Sequence, residues 1–227
     1  MLDLLKARGM RNYTDTAHDQ RQRRQLVEGL HNKGITDVRV LDAIFAVPRQ
    51  YFMNPDLVDK AYEDKAFPID EGQTISQPYT VAYQTQLLQV QPGDRVLEIG
   101  TGSAYQAVIL AAMDAEVFTI ERQKRLFDKN RSFAYIHSFS NLHFFYGDGY
   151  EGLPQHAPFD KILITAAAPQ VPPRLVEQLV RGGYMVLPLG TAPVQRMMRL
   201  TKLENGELLE EYFDNFSFVP MLEGKKE

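Results

Sequence analysis

An α/β protein with a doubly wound, mostly parallel sheet is what the order of residues predicts, and three features carry that expectation. From Arg95 onward short apolar runs alternate with amphipathic stretches, the rhythm of strand–helix–strand units. The runs Val96–Leu97 and Ile162–Leu163–Ile164 lack a polar face and suit strands covered on both sides. Asn205-Gly206, the strongest short hairpin signal, lies between two further runs and closes the sheet with an antiparallel pair.

Ahead of that core the chain reads as a helical cap. Leu2, Leu4 and Leu5 are followed at once by Lys6, Arg8 and Arg11, which leaves no apolar segment for a signal peptide and predicts a cytoplasmic protein. Leu26 and Leu30 lie one turn apart before Gly34, and Leu41, Ile44 and Phe45 form a stripe that stops at Pro48. Arg21, Arg23 and Arg24, just ahead of Leu26, read as a solvated helix face without a function. Tyr62–Tyr79 then holds Pro68, Gly72 and Pro78 and sustains no period. Counted inclusively it is 79 − 62 + 1 = 18 residues, and irregular loops beyond about 12–15 residues are commonly functional. Residues 1–79 are therefore expected to form a cap and substrate loop, and residues 80–227 a core, within one structural unit.

In the core, strands are expected at Arg95–Ile99, Glu116–Ile120, Leu142–Tyr146, Lys161–Thr165 and Tyr184–Leu189. Helices fall between them: from Ala104, from about Gln123, and near Pro172–Val180. In the second, Leu126 and Phe127 are echoed by Phe133 and Ala134 on one face. Arg196–Leu203 and Leu208–Val219 make the closing hairpin.

Composition narrows the function. Of 227 residues, 44% are hydrophobic and 24% charged, an ordinary globular balance. Lys and Arg number 25 against 29 Asp and Glu, so the net charge of −4 offers no field to draw nucleic acid or an anionic membrane. Cysteine is absent, which excludes thiolate nucleophiles, disulfides and cysteine metal sites; the five histidines show no i, i+4 pair. No run of 18 apolar residues exists to span a bilayer. A monomer without a metal is the expectation.

The chemistry concentrates at Val96-Leu97-Glu98-Ile99-Gly100-Thr101-Gly102-Ser103-Ala104-Tyr105, a strand feeding a glycine turn that opens a helix. Gly100 and Gly102 allow a sharp turn and close approach of a ligand to backbone. A dinucleotide site would want a third glycine where Tyr105 stands, so a pyrophosphate fits poorly. Glu98 would repel phosphate and suits a cationic amine. S-adenosyl-L-methionine carries such an amine and a ribose diol, and Glu121, 121 − 100 = 21 residues past Gly100 at the next strand end, is placed to accept from that diol. Asp148, within Tyr146-Gly147-Asp148-Gly149 after the third strand, is a candidate for the adenine amino group, although a turn residue capping its own backbone explains it as well.

Three separated signatures resemble the protein-L-isoaspartate O-methyltransferases: Gly72-Gln73-Thr74-Ile75-Ser76-Gln77-Pro78-Tyr79, then Val96–Ser103, then Thr165-Ala166-Ala167-Ala168-Pro169. The similarity runs over about residues 20–222. It implies a Rossmann-like methyltransferase sheet, S-adenosyl-L-methionine as cofactor, and methylation of the free α-carboxylate of L-isoaspartyl residues in proteins and peptides, followed by collapse to succinimide. By the family's pattern Ser76 is the active-site hydroxyl, Thr74 and Ile75 line the junction of cofactor and substrate, and the strand of Val219 offers backbone to the peptide. Glu98, Gly100, Thr101, Gly102, Glu121, Asp148 and Gly149 carry over as cofactor contacts. Ala104 stands where the family usually shows glycine. The chemistry is coherent: a carboxylate is ionised at neutral pH and needs no general base, and no basic residue lies between Phe67 and Tyr83 to hold it in an ion pair.

Overall fold

Two helices come first in the computed structural model, which describes residues 14–191 and 193–227; Leu2–Leu5 with Lys6, Arg8 and Arg11 lie outside them. Helix α1 (Ala17–Asn32) starts on a capping box, the Thr16 hydroxyl accepting from Asp19 N–H while the Asp19 carboxylate takes Thr16 N–H. Its inner stripe is Arg23, Leu26 and Leu30. The arginine cluster therefore divides. Arg21 and Arg24 are exposed, as expected, but Arg23 is buried, donating to both Asp15 oxygens at 3.0 and 2.9 Å and to the Tyr62 hydroxyl at 2.9 Å. Helical spacing from Leu26 and Leu30 placed it inward, and the ion pair satisfies it there. Helix α2 (Val38–Ala46) is capped by Asp37 and buries Val40, Leu41, Ala43 and Ile44.

The segment expected to be an irregular loop is one only in part. Strands β1 (Phe67–Pro68) and β2 (Thr74–Ile75) pair antiparallel, Phe67 opposite Ile75 and Pro68 opposite Thr74. The turn between them passes through the left-handed region at Glu71 and Gly72, φ +60° and +67°. Strands of two residues are too short to show a period. Helix α3 (Pro78–Leu88) follows at once, running through residue 79, and buries Thr80, Gln84 and Thr85 together with Val81, Ala82 and Leu88. A helix covered on most sides has no amphipathic stripe to find.

The main sheet holds β3 (Arg95–Ile99), β4 (Glu116–Glu121), β5 (Leu142–Tyr146), β6 (Phe159–Ile164), β7 (Leu179–Leu189), β8 (Gln195–Lys202) and β9 (Leu208–Phe216), in the spatial order β5-β4-β3-β6-β7-β8-β9. The first five are parallel, and β7-β8-β9 are antiparallel. Between them run α4 (Tyr105–Ala112), α5 (Lys124–Arg131) and α6 (Pro173–Glu177). Helix α5 ends before Phe133 and Ala134, so the repeat expected to orient it falls beyond its end; the buried Asn130 anchors it by donating to Gly102 O at 3.0 Å. Helix α6 is shorter than expected, and β7 takes up the residues from Leu179.

Alternation along the strands separates two cores. Val96, Val117, Leu163 and Val186 join α4 and the cap, whereas Leu97, Ile99, Ile162 and Ile164 pack with Phe118, Ile120 and Leu175 on the other face. The hairpin turn is Glu204-Asn205-Gly206, with Gly206 at φ +87°. Strand β9 stops at Phe216, short of Val219. The chain then crosses to Ala167, whose N–H donates to Val219 O and whose carbonyl accepts from Met221 N–H, both at 2.8 Å. Among the described residues no helix is long and apolar enough to cross a membrane.

Candidate active site

Strand order reverses between β3 and β6, and the carboxyl ends of β3, β4 and β6 open onto the crevice where open α/β sheets take ligands. The glycine turn is held there on its own backbone. Gly100, at φ +97°, donates to Ile120 O at 3.0 Å, and a Cβ on it would meet Thr165 Oγ1 at 2.6 Å. Thr165 Oγ1 lies within donating reach of Ile99 O and Gly100 O, 2.9 and 2.8 Å. Ala104 also sits in the left-handed region, φ +68°, immediately before α4. Glycine is the residue that conformation favours, and alanine, without a branched Cβ, is the next smallest that fits.

Above this turn lies a cavity of about 950 Å³. It brings together nine of the expected residues: Thr74, Ile75, Ser76, Gly100, Thr101, Gly102, Glu121, Gly149 and Val219. Ser76 reaches it from the step between β2 and α3. Glu121 ends β4, nearly buried, its Oε2 accepting from Gly102 N–H at 2.9 Å and its Oε1 from Gln123 N–H at 2.8 Å. Burial raises its pKa, with those two N–H groups opposing. A carboxylate oxygen accepts more than one hydrogen bond, so both keep acceptor capacity.

Glu98 and Asp148 do not reach the wall. Period two turns Glu98 inward, opposite Thr119 in the β3–β4 register, where it is fully buried. Its Oε2 accepts from the Thr119 hydroxyl, which lies 2.7 Å from the Thr101 hydroxyl, and its Oε1 has no hydrogen-bond partner in the protein. Desolvation pushes its pKa up to about 8, the Thr119 bond opposing and the Glu121 charge adding to the rise. Glu98 thus meets the wall only through Thr119 and Thr101, and the direct contact expected for it is not open to it. Asp148 caps backbone: Oδ1 accepts from Tyr150 N–H at 2.9 Å and Oδ2 from Gly224 N–H at 2.7 Å.

The model of the protein-L-isoaspartate(D-aspartate) O-methyltransferase family matches residues 21–226. The chain belongs to that family. Relatives named protein-L-isoaspartate O-methyltransferase include one from Flavobacterium johnsoniae, 50% identical over 93% of this chain and 99% of its own length. Another, from Christiangramia forsetii, is 48% identical over the same shares. Among solved structures, a Plasmodium falciparum protein described as a protein-L-isoaspartate O-methyltransferase in complex with S-adenosyl-L-homocysteine superposes with a TM-score of 0.76 at 26% identity, covering 88% of this chain and 98% of that one.

Seen as an isoaspartyl methyltransferase, the chain has wall residues that sequence reasoning passed over. Thr165, known from the sequence only as the first residue of the third signature, locks the glycine turn. Tyr79, Phe216 and Phe218 form an aromatic rim, with Tyr83 behind it 5.0 Å from Phe216 between centroids and donating to Asp214 at 3.0 Å. The i, i+4 spacing of Tyr79 and Tyr83 was the available signal. Arg122 is the one basic residue of the wall among the described residues, and its guanidinium donates to Gly224 O and Glu223 O at 2.9 and 3.2 Å.

Proposed function

We infer that the protein transfers a methyl group from S-adenosyl-L-methionine to the free α-carboxylate of L-isoaspartyl residues in damaged proteins and peptides, the entry to repair through succinimide. The observation that carries this reading is a single cavity walled both by the glycine turn with Glu121 and by the Thr74–Ser76 segment. The wall fits the cofactor chemically. It offers acceptors, Glu121 among them, and bare backbone, which suits a cationic sulfonium and a diol.

When bound, the donor supplies an electrophilic methyl group on sulfur. Gly100, Thr101 and Gly102 let it approach the backbone, Glu121 accepts from vicinal ribose hydroxyls, and Gly149 leaves the floor open beside them. Ser76 orients the acceptor carboxylate through a neutral hydroxyl, so the carboxylate keeps the charge that attacks. Thr74 and Ile75 separate the two ligands, and the segment of Val219 meets the peptide main chain. Glu98 supports the site from beneath, and Asp148 holds the Gly224 segment over the end of β5. On this reading residues 1–79 cover the substrate while residues 80–227 hold the cofactor. The protein works as a cytoplasmic monomer that binds neither nucleic acid nor membrane, in keeping with its net charge of −4. Incubation with labelled S-adenosyl-L-methionine and matched peptides tests it: label is expected on the L-isoaspartyl peptide alone, and equal labelling of an L-aspartyl peptide would overturn it.

A further inference from the structure

Three charged side chains line the cavity among the described residues. Glu121 and Arg122 lie beside the glycine turn at the end of β4, whereas Asp214, near the end of β9, sits in the aromatic rim. Asp214 is exposed, and its Oδ2 accepts from the Tyr83 hydroxyl at 3.0 Å. Burial, aided by that carboxylate, pushes the Tyr83 pKa up to about 12, so the phenol remains a donor through the neutral range. A carboxylate accepts several hydrogen bonds, and Asp214 keeps capacity for more. No cation of the described residues forms an ion pair with it. Lys33, 5.7 Å from the Tyr79 ring centroid, pairs with Asp64 at 2.6 Å. Arg196 donates to Phe213 O at 3.2 Å and lies over the Tyr212 ring.

Rings flank this carboxylate. Phe216 has its centroid 6.3 Å from that of Tyr79, with planes 22° apart, and 6.5 Å from that of Phe218. All three are half-buried and line the cavity, so each keeps surface for a ligand. Aromatic faces beside a carboxylate without an ion pair match a lysine or arginine side chain: the rings cover its stem and attract its charge, and the carboxylate takes its head. An acidic side chain there would be repelled, and a neutral one would gain only contact area. The rim also lies close to the reacting group. Tyr79 follows Ser76 by three residues, and Phe218 immediately precedes Val219.

We propose that Asp214 and the rings of Tyr79, Phe216 and Phe218 form a subsite for a basic side chain flanking the isoaspartyl residue, with Asp214 as the residue that sets the preference and Tyr83 as the residue that positions it. This rests on the methyltransferase reading above and adds to it a substrate class, lesions with Lys or Arg close by in the chain.

A panel of isoaspartyl peptides tests it, with Lys, Gln or Glu placed in turn at each of three positions on either side of the isoaspartate and kcat/KM read by labelling. An exposed ion pair and an exposed cation–π contact each correspond to at most about 5-fold. The wild type is therefore expected to prefer Lys to Gln by about 3- to 10-fold at the positions that meet the rim, with Glu below Gln, and 0.5 M salt is expected to shrink the difference. Asp214→Asn should lower the Lys-to-Gln ratio about 2- to 5-fold, Asp214→Glu should retain it, and Asp214→Lys should place Glu above Lys. Tyr83→Phe is expected to lower the ratio by less than Asp214→Asn does. An unchanged ratio in Asp214→Asn, or equal loss for the Lys and Gln peptides, would overturn the subsite. So would a Lys preference of the same size at all six positions, which would belong to the net charge of the whole protein. A wild type that labels the Gln peptides without favouring Lys anywhere would overturn this inference and leave the enzymatic reading standing, and one that labels no isoaspartyl peptide would overturn both.

Discussion

Glu98 is a carboxyl group enclosed by protein, and its proton is the clearest handle on the site. With its pKa pushed up to about 8 from an ordinary 4.5, the folded chain keeps a proton that the unfolded chain has released. The sign follows: this group's contribution to stability is fullest below pH 4.5 and declines as pH rises through about 8. Glu98→Gln is expected to flatten that decline. Melting curves of ligand-free protein between pH 5 and 9 check it, and parallel curves for the two proteins would mean that Glu98 does not titrate there. Ser76 makes a different prediction, because its hydroxyl orients and does not take a proton. Ser76→Ala should leave S-adenosyl-L-homocysteine binding intact and lower kcat/KM for an isoaspartyl peptide about 5- to 150-fold, about 1–3 kcal/mol, read by single-turnover labelling. Equal rates would move the orienting role to backbone amides. At this scale the sequence was legible where position alone decides, as for Glu121 at a strand end, whereas Ser76 was singled out by the family's pattern. It was not legible where the direction of a side chain decides, as for Glu98 turned inward, Asp148 spent on Gly224 and Arg23 buried against Asp15.

The β1–β2 hairpin presents Thr74, Ile75 and Ser76 to the cavity, and ion pairs fasten its turn to α5 and to the segment after β9. Asp70 meets Lys129 at 2.6 Å, and Glu71 meets Arg125 at 2.9 Å and Lys226 at 3.5 Å. Arg125 is 81% exposed, so each pair is worth about 0–1 kcal/mol and is screened by salt. Glu71→Gln should therefore change global stability by less than about 1 kcal/mol while loosening the hairpin. Hydrogen exchange is expected to accelerate at residues 67–75 and stay unchanged in β3, with 0.5 M salt producing the same local effect in the wild type. Uniform acceleration would show that the hairpin opens only with the whole fold. Elements differ in legibility for the same physical reason. Strands β3 and β5 match their expected limits to the residue, since each is a short, largely apolar run bounded by turn residues such as Gly93 and Asp94, Gly100, Asn141 and Gly147. The hairpin is too short to carry a pattern, and α3 is covered too completely to show one.

The cavity draws on segments far apart in the chain, Ser76 and Val219 being 219 − 76 = 143 residues distant. Such a wall exists only when cap, sheet and crossing segment are all in place, so a ligand for it stabilises the molecule as a unit. Saturation at 100 times Kd is expected to add about 2.7 kcal/mol to the free energy of unfolding. Urea titrations with and without S-adenosyl-L-homocysteine check this: a shifted midpoint with an unchanged slope is expected, and a second transition would mean that the cap melts apart from the core.

The turn between β8 and β9 bears on how this molecule ages. Asn-Gly is the dipeptide most open to deamidation, because glycine leaves its nitrogen unshielded beside the asparagine carbonyl carbon. Here the partners of that reaction are occupied. Asn205 Oδ1 accepts from Glu207 N–H at 3.0 Å, Nδ2 donates to Glu207 Oε2 at 2.8 Å, and Gly206 N–H donates to Leu203 O at 2.9 Å. Closing the five-membered ring would break all three contacts before the new bond could form. Those bonds oppose the lesion that the protein is inferred to mend, and on that reading only a copy that has opened this hairpin and deamidated at Asn205 would present an isoaspartyl residue to its neighbours.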